Sequence, residues 1–361
     1  QTIFRGRTSI LPCLNFRVLK QTVRLVLVVG LFIPQLLSAQ LGGQRAFEFL
    51  NLPNSARQAA LGGVNLTSGW NDPGMLASNP ALLNSDWHNQ LVIDRLGYFA
   101  DIAQTSVSYA RNIEKAGLWA ANLTYLNYGT IESYDENGFL NGDFRASEFV
   151  FGLSHSMAFG PFQAGSTLKI AASDLGSYKA SALLFDFGGT FKHPEKDLTV
   201  GLAVKNLGVL LSDYTEDNQS ELPLDVQLGV TYKPEFMPFR FSLTARNLNR
   251  SDVVFFDPKG NTLVGATEKE PGFSEEVFRR LVFGTELLLS DNFQLRFGYN
   301  HLLRKELKQE ATSGGAGFSF GLMFKVKRFE FSYARALYHS AGGSNTIQLT
   351  TNLSGIVKKK N

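Results

Sequence analysis

The sequence predicts an all-β chain, a transmembrane antiparallel β-barrel of about 14 strands with a small N-terminal helical plug. Three observations carry this reading. From Phe149 onward, segments of about ten residues alternate large apolar side chains with small or polar ones, each ending in a turn signal. No segment after residue 40 has the roughly 18 uninterrupted apolar residues of a spanning helix, and mean hydropathy is −0.06. Long and short connections also take strict turns along the chain.

The alternation is clearest at Gly317-Phe318-Ser319-Phe320-Gly321-Leu322-Met323-Phe324-Lys325-Val326. A strand repeats its side-chain direction every two residues, so Phe318, Phe320, Leu322, Phe324 and Val326 share one face. The opposite face offers no second apolar layer, which excludes a soluble sandwich and leaves lipid outside a lumen of polar and small residues.

Taken in order, residues 1–39 read as an export signal. Arg5, Arg7, Arg17, Lys20 and Arg24 precede the apolar run Leu25–Leu37, and Ser38-Ala39-Gln40 supplies the small residue for cleavage after Ala39. This segment holds five of the 35 basic residues and none of the 32 acids, leaving 30 against 32, a net charge of −2. The overall charge of +3 therefore gives no footprint for nucleic acid. Cys13, the single cysteine, leaves with the signal, so the exported chain has neither disulfide nor thiol chemistry.

Residues 40–87 differ in pattern from the remainder of the chain. Pro53 to Gly63 contains a cap residue, a helix-forming stretch and a glycine stop, and Asn79-Pro80-Ala81 places a cap before a proline at the first helical position. Phe47, Phe49, Leu50 and Leu61 can be buried. Two short helices with such residues predict a plug folded into the lumen.

Residues 88–361 form the barrel. The predicted strands are 90–99, 102–111, 116–130, 146–159, 162–173, 178–192, 196–207, 223–233, 238–247, 276–289, 291–301, 312–326, 328–339 and 343–354. Leu198, Val200, Leu202 and Val204 face outward, as do Phe239, Phe241 and Leu243, and Phe293, Leu295, Phe297 and Tyr299. Gln294, Arg296, Gly298 and Asn300 face the lumen. With a periplasmic start, the long connections 131–145, 208–222, 248–275 and 302–311 all point outward, and the short ones at 160–161, 193–195, 234–237, 290 and 327 face the periplasm. Outer-membrane barrels show this asymmetry, and an odd strand count would scramble it.

Phe47-Glu48-Phe49-Leu50-Asn51-Leu52-Pro53-Asn54-Ser55-Ala56-Arg57, continuing to Ala60-Leu61-Gly62-Gly63, resembles the start of the mature chain in the PorQ family of type IX secretion outer-membrane proteins. Asn79-Pro80-Ala81, Gly201 to Gly208, Leu222-Pro223-Leu224 with Gly229 to Tyr232, and Ser242 to Leu248 are similar to the wider FadL-like barrels, to which PorV is also related. The resemblance implies a bacterial outer-membrane location and a place in an attachment complex with PorU and PorV. There the barrel would anchor a PorZ-like surface protein while cargo is linked to lipopolysaccharide. It implies no catalysis and no cofactor.

The residues alone agree on the last point. His88, His155, His193, His301 and His339 are scattered, with no i, i+4 pair for a metal and no nucleophile constellation. The glycine pairs lack the strand–loop–helix setting of a phosphate loop. Asp213 to Asn218 lacks the glycine and distal glutamate of a helix-loop-helix calcium site. Phe255, Phe256, Asp213 and Tyr214, on long outward loops, are the candidate residues for docking a partner. The first functional expectation is therefore anchoring of a surface partner. The alternative is a FadL-like channel for hydrophobic compounds, against which the lumen rows of Ser, Gly, Gln, Arg and Thr argue, unless the plug supplies an apolar pocket.

Overall fold

A computed structural model describes residues 45–68, 71–215, 220–250, 272–307, 314–339 and 342–355. The expected signal segment and the docking candidates Phe255 and Phe256 lie outside the described residues.

Fourteen strands close on themselves: β1 Gln90–Gly97, β2 Ala103–Ile113, β3 Gly117–Tyr134, β4 Leu140–Phe159, β5 Phe162–Leu175, β6 Tyr178–Lys192 and β7 Leu198–Ser212 are the first seven. The rest are β8 Asp225–Tyr232, β9 Phe239–Ala245, β10 Leu281–Ser290, β11 Phe293–Asn300, β12 Phe318–Val326, β13 Phe329–His339 and β14 Gly342–Asn352. Each strand pairs antiparallel with its neighbours in sequence, and β1 pairs with β14 from Gln90↔Asn352 to Gly97↔Asn345. Closure leaves no edge within the wall, as a bilayer demands of any sheet that crosses it.

The side-chain period sorts as the sequence predicts. On β12, Phe318, Phe320 and Phe324 are exposed on the outer wall while Ser319 and Met323 are buried inside. On β11, Phe293 and Phe297 point out, and Arg296 and Asn300 point in. Connections between even and odd strands are as short as Gly160-Pro161 and Lys327-Arg328, and odd-to-even ones include the 246–280 and 301–317 segments. Short turns mark the periplasmic rim.

Several expected boundaries shift: β7 runs on to Ser212, inside the expected loop 208–222, and β12 begins at Phe318 instead of 312. Residues 276–280, expected in a strand, end the helix α2, Phe273–Arg280, whose label follows the plug helix α1, Ala56–Ala60. Glu275 and Glu276 in the first turn of α2 and Arg279 and Arg280 in its last complement the helix dipole. Arg279 Nε also meets Glu275 Oε1 at 3.1 Å, one turn away. The stretch 131–145, expected as a loop, is a continuation of β3 and β4. A third helix, α3 His301–Leu307, follows β11 directly on the outer side.

Candidate functional site

The segment 45–89 runs through the ring of strands from rim to rim. It enters on the outer side, where Arg45 bridges Glu221 and the Ala46 N–H donates to the Glu221 carbonyl at 3.0 Å. It leaves on the periplasmic side, where Asn352 Nδ2 donates to the His88 carbonyl at 3.2 Å and β1 begins. The periplasmic start that the loop parity needs thus belongs to β1, not to residue 45.

Local sequence sets the shape of this segment. Ser55 caps α1 by accepting from the Gln58 N–H at 3.2 Å, and Gly62 at φ +93° ends it in the left-handed region. Asn79 caps the turn Pro80–Leu82, accepting from the Ala81 N–H at 2.9 Å and donating Nδ2 to the Leu66 carbonyl at 3.1 Å. That turn lies directly on the wall at Gly165, where a Cβ would collide with the Pro80 backbone.

The polar lumen rows hold this segment by its backbone and side chains. Ser319 Oγ donates to the Ala60 carbonyl at 2.8 Å and accepts from the Gly62 N–H at 3.0 Å. Ser156 Oγ donates to the Leu83 carbonyl at 2.6 Å, joined by Gln163 Nε2 on the same oxygen. Asn65 Nδ2 donates to Ser242 Oγ at 2.9 Å, and Thr67 and Thr231 hydroxyls meet at 2.7 Å. Backbone carbonyls and amides buried in the lumen need these partners.

A charged knot ties α1 to the wall. Arg57 Nε reaches Asp72 Oδ2 at 2.8 Å, and Nη1 reaches Glu286 Oε1 at 2.6 Å. Glu286 also faces Arg240 at 3.3 Å and Arg296 at 3.4 Å, and Gln348 Nε2 donates to Asp72 Oδ1 at 2.8 Å. Glu286 and Arg296 are each only 1 % exposed. A second knot sits inside β5–β7: Lys169 Nζ meets Asp186 Oδ1 at 2.7 Å, and Asp186 accepts from the Asn206 N–H at 2.7 Å.

Above the second knot the lumen changes character. Leu126, Val150, Ala171, Ala180, Ala182 and Leu184 line an apolar chamber on the outer half of β3–β6. Phe47, Phe49 and Leu50 of the entering segment occupy it. The expectation of uniformly polar lumen rows is corrected here. The inward rows mix both kinds: Val150, Ala182 and Leu184 pack toward the outer end, where Glu148 and Ser173 also face inward, and Ala110 and Ala120 pack on Trp87, Leu82 and Leu83 toward the periplasmic end. On β7, the register shifts opposite Phe185–Phe187, with Asn206 at φ +60°. This irregularity brings Leu210 against the chamber, a turn-about that strict alternation does not reveal.

Of the sequence candidates, Tyr214 packs its ring on Phe47, 6.4 Å between centroids, at the mouth of this chamber. Asp213 holds the outer loop: its Oδ1 accepts from the Tyr214 N–H at 2.8 Å and the Ser220 hydroxyl at 2.7 Å, and Oδ2 from the Ser220 N–H at 2.6 Å. The Phe47, Phe49 and Leu50 set was visible as buriable residues, but its partners Val150 and Leu184 carried no signal separating them from wall residues.

No family model matches the chain, and no curated protein matches it. Among solved structures it is similar to a TodX monoaromatic hydrocarbon channel, the deltaS2 mutant, at 14% identity over 83% of this chain and 97% of that one, with a TM-score of 0.50. It is also similar to the Ralstonia pickettii toluene transporter TbuX, at 11% identity over 84% and 99%, with a TM-score of 0.48. The Acinetobacter baumannii outer membrane protein Omp33 comes next, at 6% identity over 74% and 99%, with a TM-score of 0.37. At these identities the likeness speaks to fold. The closed ring, its loop asymmetry and its lumen-crossing segment define a bacterial outer-membrane β-barrel. In fold it is similar to the TodX channel.

Proposed function

We propose that the barrel receives small hydrophobic compounds at the outer chamber, the alternative that the sequence left open. The observation that carries this is the apolar chamber itself: Leu126, Val150 and Leu184 face inward toward the outer end, packed against Phe47, Phe49 and Leu50 of the entering segment and against Tyr214 and Leu222 of the outer loop. An apolar solute taking the place of Phe47 and Phe49 gains the same desolvation that those rings gain. The TodX channel, whose fold the chain shares, is named for monoaromatic hydrocarbons, which supports small apolar solutes as the class. The test is uptake of a labelled fatty acid or labelled toluene by vesicles carrying the purified barrel. Uptake above that of empty vesicles, changed by Leu184→Asp, is the expected result; uptake equal to empty vesicles rejects the reading.

A second reading is anchoring of a PorZ-like surface protein in a type IX attachment complex with PorU and PorV, beside lipopolysaccharide. The family resemblance motivates it, and the β3–β4 ribbon standing beyond the wall favours it. Deletion would then leave cargo made but unattached, and a surface protein would co-purify with the barrel. Normal cargo attachment in a clean deletion rejects this reading.

A further inference from the structure

β3 and β4 do not stop where their neighbours do. β2 accompanies β3 only as far as Asn127, and β5 leaves β4 at Ser147. Beyond these points the two strands continue as a ribbon, with Thr130 opposite Arg145, Ile131 opposite Phe144, Glu132 opposite Asp143 and Tyr134 opposite Leu140. At the strand rise, the residues past Asn127 lift its tip by about 20 Å on the outer side. The tip is built to hold its shape: Asp135 Oδ1 accepts from the Asn137 N–H at 2.9 Å and the Phe139 N–H at 2.8 Å.

The composition of the ribbon is unlike that of an idle loop. Ile131, Tyr134, Phe139, Leu140 and Phe144 are all exposed, Phe139 to 71% and Leu140 to 63%. Glu132, Asp135, Glu136 and Asp143 stand among them, and Arg145, at the base of the ribbon, is its one basic residue. Among the described residues no strand covers the outer edge of β4 from Leu140 to Ala146. Acids on a free edge commonly keep edges apart, and here they oppose pairing with a second copy, whose ribbon carries the same four charges. They also oppose the anionic lipid surface. Edge protection does not account for five exposed apolar side chains on the same short ribbon.

We propose that this ribbon is a docking rail for an extended, basic segment of a surface protein, which adds as a strand along the free edge of β4. Backbone hydrogen bonds would supply affinity. The four carboxylates would select a Lys- or Arg-bearing strand, and Phe139 and Leu140 would take its apolar side chains. The rail lies outside the lumen and does not depend on what the chamber binds.

The test uses the full barrel in detergent micelles and three fluorescent probes: a short peptide alternating Lys with Val, its Glu–Val counterpart, and the Lys–Val peptide N-methylated along one edge. The Lys–Val peptide is expected to bind, more weakly as salt rises, while the other two do not. Amide exchange in residues 140–146 should slow on binding. A Glu132→Lys/Asp143→Lys barrel should bind about tenfold or more weakly, with its heat-modifiable gel mobility unchanged as proof of folding. Equal binding of the N-methylated peptide overturns the proposal. So does undiminished binding by the charge-reversed barrel, or a ribbon that captures lipopolysaccharide micelles in place of the Lys–Val peptide.

Discussion

Replacing Arg57 with Met should free the lumen segment while leaving the barrel closed. Arg57 makes contacts of 2.8 Å to Asp72 and 2.6 Å to Glu286, and all three side chains are almost wholly buried. Breaking a buried pair by removing one partner costs about 3 to 5 kcal/mol, because an uncompensated charge stays behind. The lower end applies. Asp72 keeps the Gln348 amide at 2.8 Å and the Gly74 N–H at 3.0 Å, and Glu286 keeps Arg240 and Arg296. About 3 kcal/mol corresponds to roughly a hundredfold rise in the population of segments detached from the wall. A non-specific protease reads that population when opening is fast relative to cleavage. Cleavage within residues 45–89 should therefore speed up by about a hundredfold in native micelles, with the strands still resistant and heat-modifiable. Arg57→Lys, which keeps the charge but loses the fork that reaches both carboxylates at once, should fall in between. A cleavage rate for Arg57→Met within about threefold of the parent would refute the reasoning, since the knot would then contribute nothing to holding the segment.

The same geometry sets other outcomes. Gly165→Val should displace the Asn79–Pro80–Ala81 turn, because its Cβ collides with the Pro80 backbone; overpacking costs about 1 to 3 kcal/mol, read as faster cleavage near residue 80. Asn79→Ala removes one cap and one bond to the Leu66 carbonyl, a loss of about 1 to 2 kcal/mol by the same protease assay. Phe47→Ala/Phe49→Ala should uncover the chamber lined by Val150 and Leu184 and raise the fluorescence of an apolar dye bound to the folded barrel; unchanged dye binding would contradict the assignment. Burial alone nudges the Asp213 carboxyl up, but the N–H and hydroxyl of Ser220 and the N–H of Tyr214 more than reverse this and hold it below its ordinary 3.8. Its contribution to loop closure is therefore full above about pH 4 and fades only as pH falls through the lower folded value. Ser220→Ala should bring that fading to higher pH, tracked by amide exchange at Tyr214.

Much of this architecture is legible because a lipid-facing wall imposes one rule on every strand. Phe318, Phe320 and Phe324 could only share a face, and loop parity independently required an even number of strands. The caps at Ser55 and Asn79 were equally readable, since each needs only a short side chain at the right offset from a helix-forming stretch. Three features were not. Glu286 and Arg57 are 229 residues apart, and nothing local marks a lumen-facing Glu on β10 as the partner of a plug arginine. The chamber depends on Val150 and Leu184 facing inward, and a period of two fixes alternation without saying which apolar residues stand on the inner face. The ribbon at 131–145 reads as a loop because its Asn, Gly and Asp residues are turn formers, yet here they shape the tip and bulges of a continuous hairpin.

The most direct measurement is a spin-label scan along β4 from Glu148 to Ser154, one cysteine at a time in a Cys13→Ser background. Labels at Phe149, Phe151 and Leu153 should be reached by oxygen dissolved in the bilayer, whereas labels at Glu148, Val150 and Ser154 should be shielded from oxygen and from an aqueous nickel complex alike, because the segment 45–89 lies against them. Inward labels as open to the nickel complex as those at the rim would mean a water-filled pore, and would contradict a lumen occupied by its own chain.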